Sequence, residues 1–309
     1  MDLLLGVDIG ATSIRAAVGT PSLDIRGRAE GSTDSDAPVA ERLAGVVRTA
    51  CDRAGVDPAA IDAAGIAAVG PFDAETGRAD PANVGGAIDP VASLGETLAT
   101  DRIVLCNDAT AGAVGERALA DAATDNMVYL TISTGIGAGI VVDGSVLSGH
   151  AGNAGEVGHV TVDPAGTMTC GCGGAGHWEA YCSGANIPRY ARHLAAETGI
   201  ETTLPGEEFD ARAVFARAGE DNLADLVIER VACWNAIGVA TLVQAYAPSY
   251  VAVGGAVARN NPDSVIAPLR ERVPGRVTVP VPAIERTGVG ADVVLLGALL
   301  SARDRQPDG

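Results

Sequence analysis

Apolar residues recur along this chain with two periods, which together predict an alternation of short strands and amphipathic helices. Uninterrupted or alternating apolar runs predict strands, and apolar residues that return every three or four positions predict helices. Strands are predicted at 3–7, 14–18, 23–30, 61–69, 103–106, 127–133, 138–142, 250–253 and 277–281. Helices are predicted at 38–54, 108–122, 184–197, 210–218, 222–247, 264–271 and 293–303.

Both halves of the chain open in the same way, with a strand, a turn rich in Gly and Thr, and a second strand. The first turn is 8–12 and the second is 134–137. A length of 309 residues favours two domains over one. We therefore predict an α/β protein whose two halves share a structural plan.

The charge of the chain limits its partners and its chemistry. The net charge is −18, and all 21 basic residues are Arg, so the chain has no Lys. An acidic chain without basic clusters disfavours nucleic acid and anionic membranes as partners. An acidic composition without Lys is typical of a protein adapted to high salt. A genome rich in Arg codons is the alternative, but it would explain only the missing Lys and not the negative charge. Without Lys, a phosphate site has to use backbone N–H groups, hydroxyls, Arg or a metal ion.

Cysteine usage and hydropathy indicate the compartment. The six cysteines do not have the spacing of a disulfide framework. No run reaches the roughly 18 apolar residues of a membrane span, and the acidic start is unlike a signal peptide. With 47% hydrophobic residues, the chain can build a sizeable core. We expect a soluble cytoplasmic protein.

The segment 155–179 contains the most specific candidate chemistry. Its four soft metal ligands are His159, Cys170, Cys172 and His177. Two His and two Cys can complete a tetrahedral zinc site, with Cys182 as a spare candidate. Packed thiols are the alternative, which the polar, Gly-rich surroundings disfavour. A zinc ion here would hold the two neighbouring carboxylates, Glu156 and Glu179, in place.

Two turns between strands are candidate phosphate sites. The first combines a carboxylate for hydrated Mg²⁺, a glycine that lets backbone approach a phosphate, and a hydroxyl: Asp8, Gly10 and Thr12. The second offers hydroxyls and a glycine for the other side of a polyphosphate: Ser133, Thr134 and Gly135. Taken alone, the first is also compatible with an ordinary turn.

Two further pairs of residues lie where a strand ends. Asn107 and Asp108 follow the strand 103–106, at the sheet edge where ligands gather in α/β proteins. Asp108 could accept a proton from a substrate hydroxyl, and simple capping of the next helix is the alternative. Gly254 and Gly255 could let a flat ring lie on the backbone, or could be a plain entry into a helix.

Together and in order, these elements resemble the ROK family of sugar kinases, in the actin-like ATPase superfamily. The resemblance spans about residues 3–300, and its cysteine motif is highly specific. The matching motifs are Asp8-Ile-Gly10-Ala-Thr12, Asn107-Asp108, Ser133-Thr134-Gly135-Ile-Gly137, Glu156-x-Gly-His159, Cys170-x-Cys172-Gly-x-x-Gly-x-x-Glu179 and Gly254-Gly255.

The resemblance implies an α/β fold of two actin-like (ribonuclease H-like) domains with a ligand cleft between them. The N-terminal domain would be 1–109, with a closing helix at about 292–305 packing back on it. The C-terminal domain would be 110–291 and would contain the zinc-binding segment 156–182. The implied reaction is ATP-dependent phosphorylation of a hexose at its 6-hydroxyl, with glucose as the first candidate. A fructokinase, a mannokinase and an N-acetylhexosamine kinase are the alternatives, and a dimer or tetramer is expected.

The resemblance also implies a role for each matching residue. Asp108 would be the catalytic base. The other sugar hydroxyls would be bound by Asn83, Asn107, Glu156, His159 and Glu179. Mg²⁺ and the phosphates of ATP would bind at Asp8, Gly10, Thr12, Ser133, Thr134 and Gly135. Adenosine would lie at Gly254 and Gly255.

The chain departs from the family pattern at two places. The family usually has a third Cys where this chain has His177, so we predict a zinc site of two His and two Cys. The aromatic residue that often follows the Asn83 loop is absent, with Ala87 near that place, which leaves the sugar unspecified.

Two functions without catalysis are further alternatives. The family includes repressors with an N-terminal DNA-binding domain, for which we expect no room before the first strand at Leu3. A sugar-binding protein that has lost catalysis is disfavoured because Asp108 and both phosphate turns are intact.

Overall fold

The computed structural model contains two five-stranded sheets surrounded by helices. It describes residues 2–10, 12–33, 37–70, 72–73, 78–79, 89–122, 124–204 and 208–304. The strands are β1 (Leu4–Ile9), β2 (Ser13–Gly19), β3 (Ile25–Ser32), β4 (Ala63–Ala68), β5 (Phe72–Asp73), β6 (Arg78–Ala79), β7 (Ile103–Asn107), β8 (Met127–Ile132), β9 (Ile136–Val142), β10 (Ser145–Val146), β11 (Tyr250–Gly254) and β12 (Ala283–Arg286). The helices are α1 (Val39–Ala54), α2 (Pro90–Gly95), α3 (Asp108–Leu119), α4 (Glu179–Cys182), α5 (Ile187–Thr198), α6 (Ala211–Ala216), α7 (Asn222–Tyr246), α8 (Ala256–Asn260), α9 (Pro262–Arg272) and α10 (Val293–Asp304).

The two large sheets have the same plan. The first has the order β3-β2-β1-β4-β7, in which β1 is antiparallel to β2 and parallel to β4. The second has the order β10-β9-β8-β11-β12, in which β8 is antiparallel to β9 and parallel to β11. Each sheet therefore begins with a hairpin and continues with parallel strands, as the similar openings of the two halves predicted. β5 and β6 form a separate antiparallel pair.

Each sheet has its own apolar core. Helix α1 covers the first sheet with a stripe of buried residues at helical spacing, including Leu43, Val47 and Ala50. Helix α7 lies in the second core and is capped by the buried Asp221. It is long and apolar enough to cross a membrane by length and composition, and 56% of its most apolar window is buried inside the protein.

Helix α10 packs against β1 and β4 of the first sheet and against α3. The approach is close, because a Cβ atom at Gly65 would lie 1.9 Å from the carbonyl oxygen of Ala298. A Cβ atom at Gly297 would lie 1.8 Å from the carbonyl oxygen of Ala111. Only glycine fits at these two positions without moving the helices.

One predicted strand is wrong. Residues 277–281 alternate in the manner of a strand but pair with none, and the strand beside β11 is β12. Pro280 and Pro282 have no N–H to donate to a ladder, which disfavours pairing of this segment. The Thr278 N–H instead donates to the side-chain oxygen of Gln244 at 2.9 Å.

Several strand and helix boundaries also differ from those predicted from the sequence. The first strand continues to Ile9, so Asp8 lies in β1 and not in the turn. Strand β9 begins at Ile136, so Gly137 also lies in a strand. Helix α3 ends at Leu119, where the pattern predicted 122. Both turns are shorter than predicted, because hairpin pairing continues to Ile9 and Ile14 in the first and to Ile132 and Ile136 in the second.

A fully buried carboxylate joins three elements of the second half. Glu116 in α3 has no exposed surface. Its Oε1 atom accepts hydrogen bonds from the Tyr250 hydroxyl at 3.1 Å and the Gly288 N–H at 2.9 Å. Its Oε2 atom accepts one from the Thr287 hydroxyl at 2.5 Å. A single side chain therefore satisfies three donors, two of which belong to buried residues.

We expect the Glu116→Ala substitution to lower the free energy of unfolding by about 3 kcal/mol, since it leaves these donors without an acceptor. Denaturant titration at one fixed KCl concentration measures the change. Glu96, which is exposed, gives a matched control, and Glu96→Ala is expected to change stability by less than about 0.5 kcal/mol. Equal effects of the two substitutions would show that the buried network contributes little.

Candidate active site and metal cluster

Asn107 and Asp108 lie where β7 ends and α3 begins. The Asn107 side-chain oxygen accepts a hydrogen bond from the Ala109 N–H at 2.8 Å, which caps the helix. The Asp108 carboxylate accepts from the same N–H at 2.7 Å and remains partly accessible. Capping therefore accounts for Asn107, while Asp108 can still meet a substrate hydroxyl.

Close packing brings this end of α3 to the second sheet. A Cβ atom at Gly139 in β9 would lie 2.2 Å from the carbonyl oxygen of Ala109. Glycine is needed there because the helix would otherwise have to move away. Asp108, which directly follows the first sheet's last strand, is thus held beside the second sheet.

The surroundings of Asp108 change its acidity. Burial, together with the negative charges of Asp8 and Glu156, raises its pKa to about 7, although the hydrogen bond from Ala109 opposes the shift. Asp8 and Glu156 lie 100 and 48 positions away in the sequence and are still close enough to act on Asp108. A carboxylate with a pKa near neutrality is well matched to proton transfer.

A line of polar side chains runs from Asn107 to the cysteine segment. The Asn107 amide donates to Glu156 Oε1 at 3.3 Å. Glu156 Oε2 lies 3.8 Å from His159 Nε2, and His159 Nδ1 lies 3.7 Å from Cys170 Sγ. His159 thus faces a carboxylate with one ring nitrogen and a thiol with the other. Burial raises the pKa of Glu156, and the Glu179 charge adds to this while His159 opposes it.

The four predicted metal ligands meet in space. Their donor atoms all lie within 4.8 Å of one another: His159, Cys170, Cys172 and His177. The Cys172 Sγ and His177 Nδ1 atoms are 3.2 Å apart. Ligands of a tetrahedral zinc ion lie roughly 3.3–3.8 Å apart, so this donor set fits such an ion after small side-chain adjustments. Cys182 is buried elsewhere, with its thiol donating to the Val231 carbonyl at 3.5 Å.

The loop that carries these ligands is supported by a carboxylate that sequence reasoning missed. Asp163 Oδ2 accepts hydrogen bonds from the Tyr181 hydroxyl at 2.6 Å and the Thr167 N–H at 2.9 Å. Burial disfavours its charge, but these bonds prevail and hold the pKa of Asp163 at about 2. The only signal in the sequence was an Asp before Pro164-Ala-Gly166, which is a common turn pattern.

Glu179 connects the metal cluster to the second candidate phosphate turn. Its Oε2 atom accepts a hydrogen bond from the Ile136 N–H at 2.9 Å, and Oε1 lies 3.9 Å from Cys170 Sγ. A Cβ atom at Gly135 would lie 2.7 Å from the same Oε2 atom. The Ser133 carbonyl accepts from the Gly184 N–H at 2.7 Å, and the Thr134 carbonyl accepts from Ala185 at 3.3 Å. The turn is therefore fixed to the segment that follows the metal ligands.

The first candidate phosphate turn lies beside an ion pair that sequence reasoning also missed. Asp8 is buried in β1 and forms hydrogen-bonded contacts with Arg15 through two guanidinium nitrogens. Gly10 donates its N–H to the Ser13 carbonyl at 2.9 Å, and Thr12 is exposed. The signal was present, because the hairpin places Asp8 directly opposite Arg15.

Gly254 ends β11 and Gly255 is the N-cap residue of α8, so the predicted helix entry is present. A Cβ atom at Gly254 would lie 2.3 Å from the Tyr129 hydroxyl. Gly255 has a φ angle of 85°, which favours glycine, and a Cβ atom there would lie 2.3 Å from the Ile132 carbonyl oxygen. Packing alone therefore requires both glycines.

The structure brings most of the predicted residues into one continuous region. Hydrogen bonds and short contacts join Asn107, Glu156, His159 and the metal cluster, and Glu179 extends the region to Gly135. Asp8, in β1 of the same sheet whose last strand precedes Asp108, influences the pKa of Asp108. Asn83 and Ala87 lie outside the described residues.

Comparison with known proteins gives the family. The ROK family model matches residues 4–305. The chain is 36% identical to a glucokinase of Pyrobaculum calidifontis over 300 residues, which are 95% of this chain and 93% of the relative. It is 36% identical to an N-acetylmannosamine kinase of Yersinia pseudotuberculosis, over 97% of this chain and 98% of the relative.

Solved structures have the same fold. A ROK family glucokinase from Streptomyces griseus, in complex with glucose and AMPPNP, superposes with a TM-score of 0.81 and 27% identity. The match covers 98% of this chain and all of that one (100%). The chain belongs to the ROK family, and its fold is the two-domain actin-like α/β fold of ROK kinases. The resemblance inferred from the motifs is confirmed.

Proposed function

We propose that this protein transfers a phosphoryl group from ATP to the 6-hydroxyl of a hexose, with glucose as the first candidate. The observation that carries the proposal is Asp108, a partly accessible carboxylate with a pKa of about 7 beside Asn107 and Glu156. Its neighbours can bind sugar hydroxyls while it accepts a proton. The glucokinase relatives, which cover most of the chain, support the same reaction.

The remaining site residues take roles that match their chemistry. Asp108 accepts the proton as the sugar oxygen attacks the terminal phosphate. Other sugar hydroxyls are bound by Asn107, Glu156, His159 and Glu179, with Asn83 as a further candidate. The phosphates of ATP and a Mg²⁺ ion, which would neutralise part of their charge, would be held by Asp8, Gly10, Thr12, Ser133, Thr134 and Gly135. Adenosine lies at Gly254 and Gly255.

We assign the His/Cys cluster a structural zinc ion. His159, Cys170, Cys172 and His177 would hold it, and the ion would immobilise the loop between Glu156 and Glu179. Both carboxylates then keep one orientation toward the sugar. His159 serves both groups, with Nδ1 toward the cluster and Nε2 toward Glu156.

The two sheets correspond to two proposed domains, 1–109 with α10 and 110–291. Asp108 lies at their boundary, so closure of the domains would bring the sugar and the nucleotide together and exclude water. We further propose that the protein is cytoplasmic and assembles as a dimer or tetramer. Sedimentation measures the number of copies.

An assay of sugar-dependent ADP release with MgATP in molar KCl tests the reaction and the substrate together. The panel contains glucose, fructose, mannose, N-acetylglucosamine and N-acetylmannosamine, the last because an N-acetylmannosamine kinase is also similar to this chain. The highest kcat/KM is expected with glucose. A higher value with another hexose would leave the kinase proposal intact and change the substrate. If protein of confirmed metal content releases no ADP with any of these sugars, the kinase proposal is overturned.

The acidity of Asp108 predicts the pH dependence of activity. Below about pH 7 its carboxyl group is protonated and cannot accept a proton, so kcat/KM for MgATP should fall about tenfold per pH unit and level off above that value. The pH dependence of kcat/KM for MgATP reports the ionisation of Asp108 in the enzyme before the nucleotide binds. A profile measured at constant KCl that remains level well below pH 7 would contradict the role of Asp108 as base.

The net charge of −18 predicts a requirement for salt. Repulsion among unscreened carboxylates destabilises the compact state, and salt screens it. We expect the midpoint of thermal unfolding to rise steadily between about 0.1 M and 2 M KCl. Equal midpoints across this range would show that the protein is not adapted to high salt.

A further inference from the structure

One partly buried arginine differs from all the others among the described residues. Four arginines are neither buried nor fully exposed: Arg15, Arg42, Arg259 and Arg272. Arg15 and Arg272 form ion pairs with Asp8 and Glu229, and Arg42 donates to the Thr33 carbonyl. Arg259 forms neither an ion pair nor a side-chain hydrogen bond within the described part of the chain. Its Nε atom is buried without a partner, as is the Nε atom of Arg42, but Arg42 has the hydrogen bond to Thr33 through another guanidinium nitrogen.

This arginine lies in a helix beside the strand that leads into the second candidate phosphate turn. It is in α8, directly after Gly254 and Gly255, and α8 packs against β8, which leads into the turn at Ser133. The Tyr129 hydroxyl lies close to the Cα of Gly254. Burial and the charge of Asp108 raise the pKa of that hydroxyl, and the charge of Arg259 opposes them. Arg259 and Asp108 are thus both near Tyr129.

An unpaired, partly buried cation is unusual in this protein. The chain has 39 acidic and 21 basic residues, so a carboxylate partner is easy to provide. Burying a guanidinium N–H group such as Nε without a hydrogen-bond acceptor costs free energy, which an incoming anion would recover. The chain has no Lys that could serve in its place.

We propose that Arg259 binds the phosphate chain of the nucleoside triphosphate, as the cation that the two hydroxyl-and-glycine turns lack. The inference rests on the proposed function, because the anion it requires is the phosphoryl donor. A guanidinium group is suited to this role, since its planar N–H groups can bind two phosphate oxygens at once.

Equilibrium binding by calorimetry tests this proposal without any turnover. Arg259→Met keeps the length and apolar stem of the side chain and removes its charge. We expect it to weaken the binding of ATP and of ADP about 10- to 100-fold, the range for hydrogen bonds to charged groups, and to leave adenosine binding unchanged. Arg259→Lys should restore part of the affinity.

Arg230→Met is the matched control. Arg230 is exposed on α7, so its replacement makes the same change in net charge away from the turns. It should leave all three affinities within twofold, at the same KCl concentration. Unfolding midpoints of the variants show whether each is folded.

The outcomes separate this proposal from the function on which it rests. If Arg259→Met and Arg259→Lys bind ATP as the unmodified protein does, or if adenosine binding falls as much as ATP binding, the proposal is wrong. If the unmodified protein binds ATP but phosphorylates no sugar, the kinase function fails while the binding data still decide the role of Arg259. If it binds no ATP at all, both are overturned.

Discussion

Replacing Asp108 with Asn is expected to lower kcat about 10³-fold and to leave the dissociation constant of glucose within about threefold. A positioned general base contributes about 10² to 10⁴ in rate, and an amide cannot accept the proton. The shape of the side chain is kept, and an amide oxygen can still accept the hydrogen bond from the Ala109 N–H. Steady-state ADP release gives kcat, and calorimetry gives the sugar affinity.

A second carboxylate near the other end of α3 provides the control. Asp121 is exposed after the helix ends, and Asp121→Asn should leave kcat within twofold. In assays well above pH 7, where Asp108 is ionised, both substitutions remove one negative charge, so a general effect of charge would appear in both. Wild-type turnover in Asp108→Asn would show that another group accepts the proton.

Removing one ligand of the metal cluster is expected to have the second-largest effect. Cys172 is exposed, so Cys172→Ser should disturb packing little while it removes a thiolate ligand. We expect zinc to fall from about one ion per chain to well below half, and kcat/KM for the sugar to fall by about 100-fold. The physical reason is that Glu156 and Glu179 flank the loop that the ion would hold. Elemental analysis and the ADP assay measure the two effects.

Cys233 is the matched control for this substitution. It lies in α7 beside Arg272 and Glu229, outside the metal cluster, so Cys233→Ser should keep both zinc and activity. Removal of the ion from the unmodified protein with a chelator should reproduce the loss in Cys172→Ser, and added zinc should reverse it. Full zinc content in Cys172→Ser, or no zinc in the unmodified protein, would refute the assignment.

Local pattern was sufficient for most of the longer elements and for much of the site. Helix α1 followed from its apolar spacing, and the end of β7 at Asn107 followed from a strand that runs into a helix cap. The ligand spacing of Cys170, Cys172 and His177 predicted the cluster that the fold assembles. These features depend on residues close in sequence, whose geometry the backbone periods determine.

The same local reasoning failed where the partner lies far away. Residues 277–281 alternate like a strand, yet β12 takes the place beside β11. The period of apolar residues describes which side chains can share a face, but it does not say which neighbouring segment will pair. Proline at 280 and 282 was the warning present in the sequence.

The sequence by itself determined the family, the alternation of strands and helices and the ligands of a metal cluster. Tertiary structure alone decided how these parts meet. Asn107 binds Glu156, 49 positions away, and Glu116 binds Thr287, 171 positions away. The isolation of Arg259 likewise depends on which carboxylates the fold brings near. Such contacts form when α3 and α10 pack against the two sheets and bring segments that are distant in sequence together. The local spacing of apolar residues does not specify which distant segments will meet.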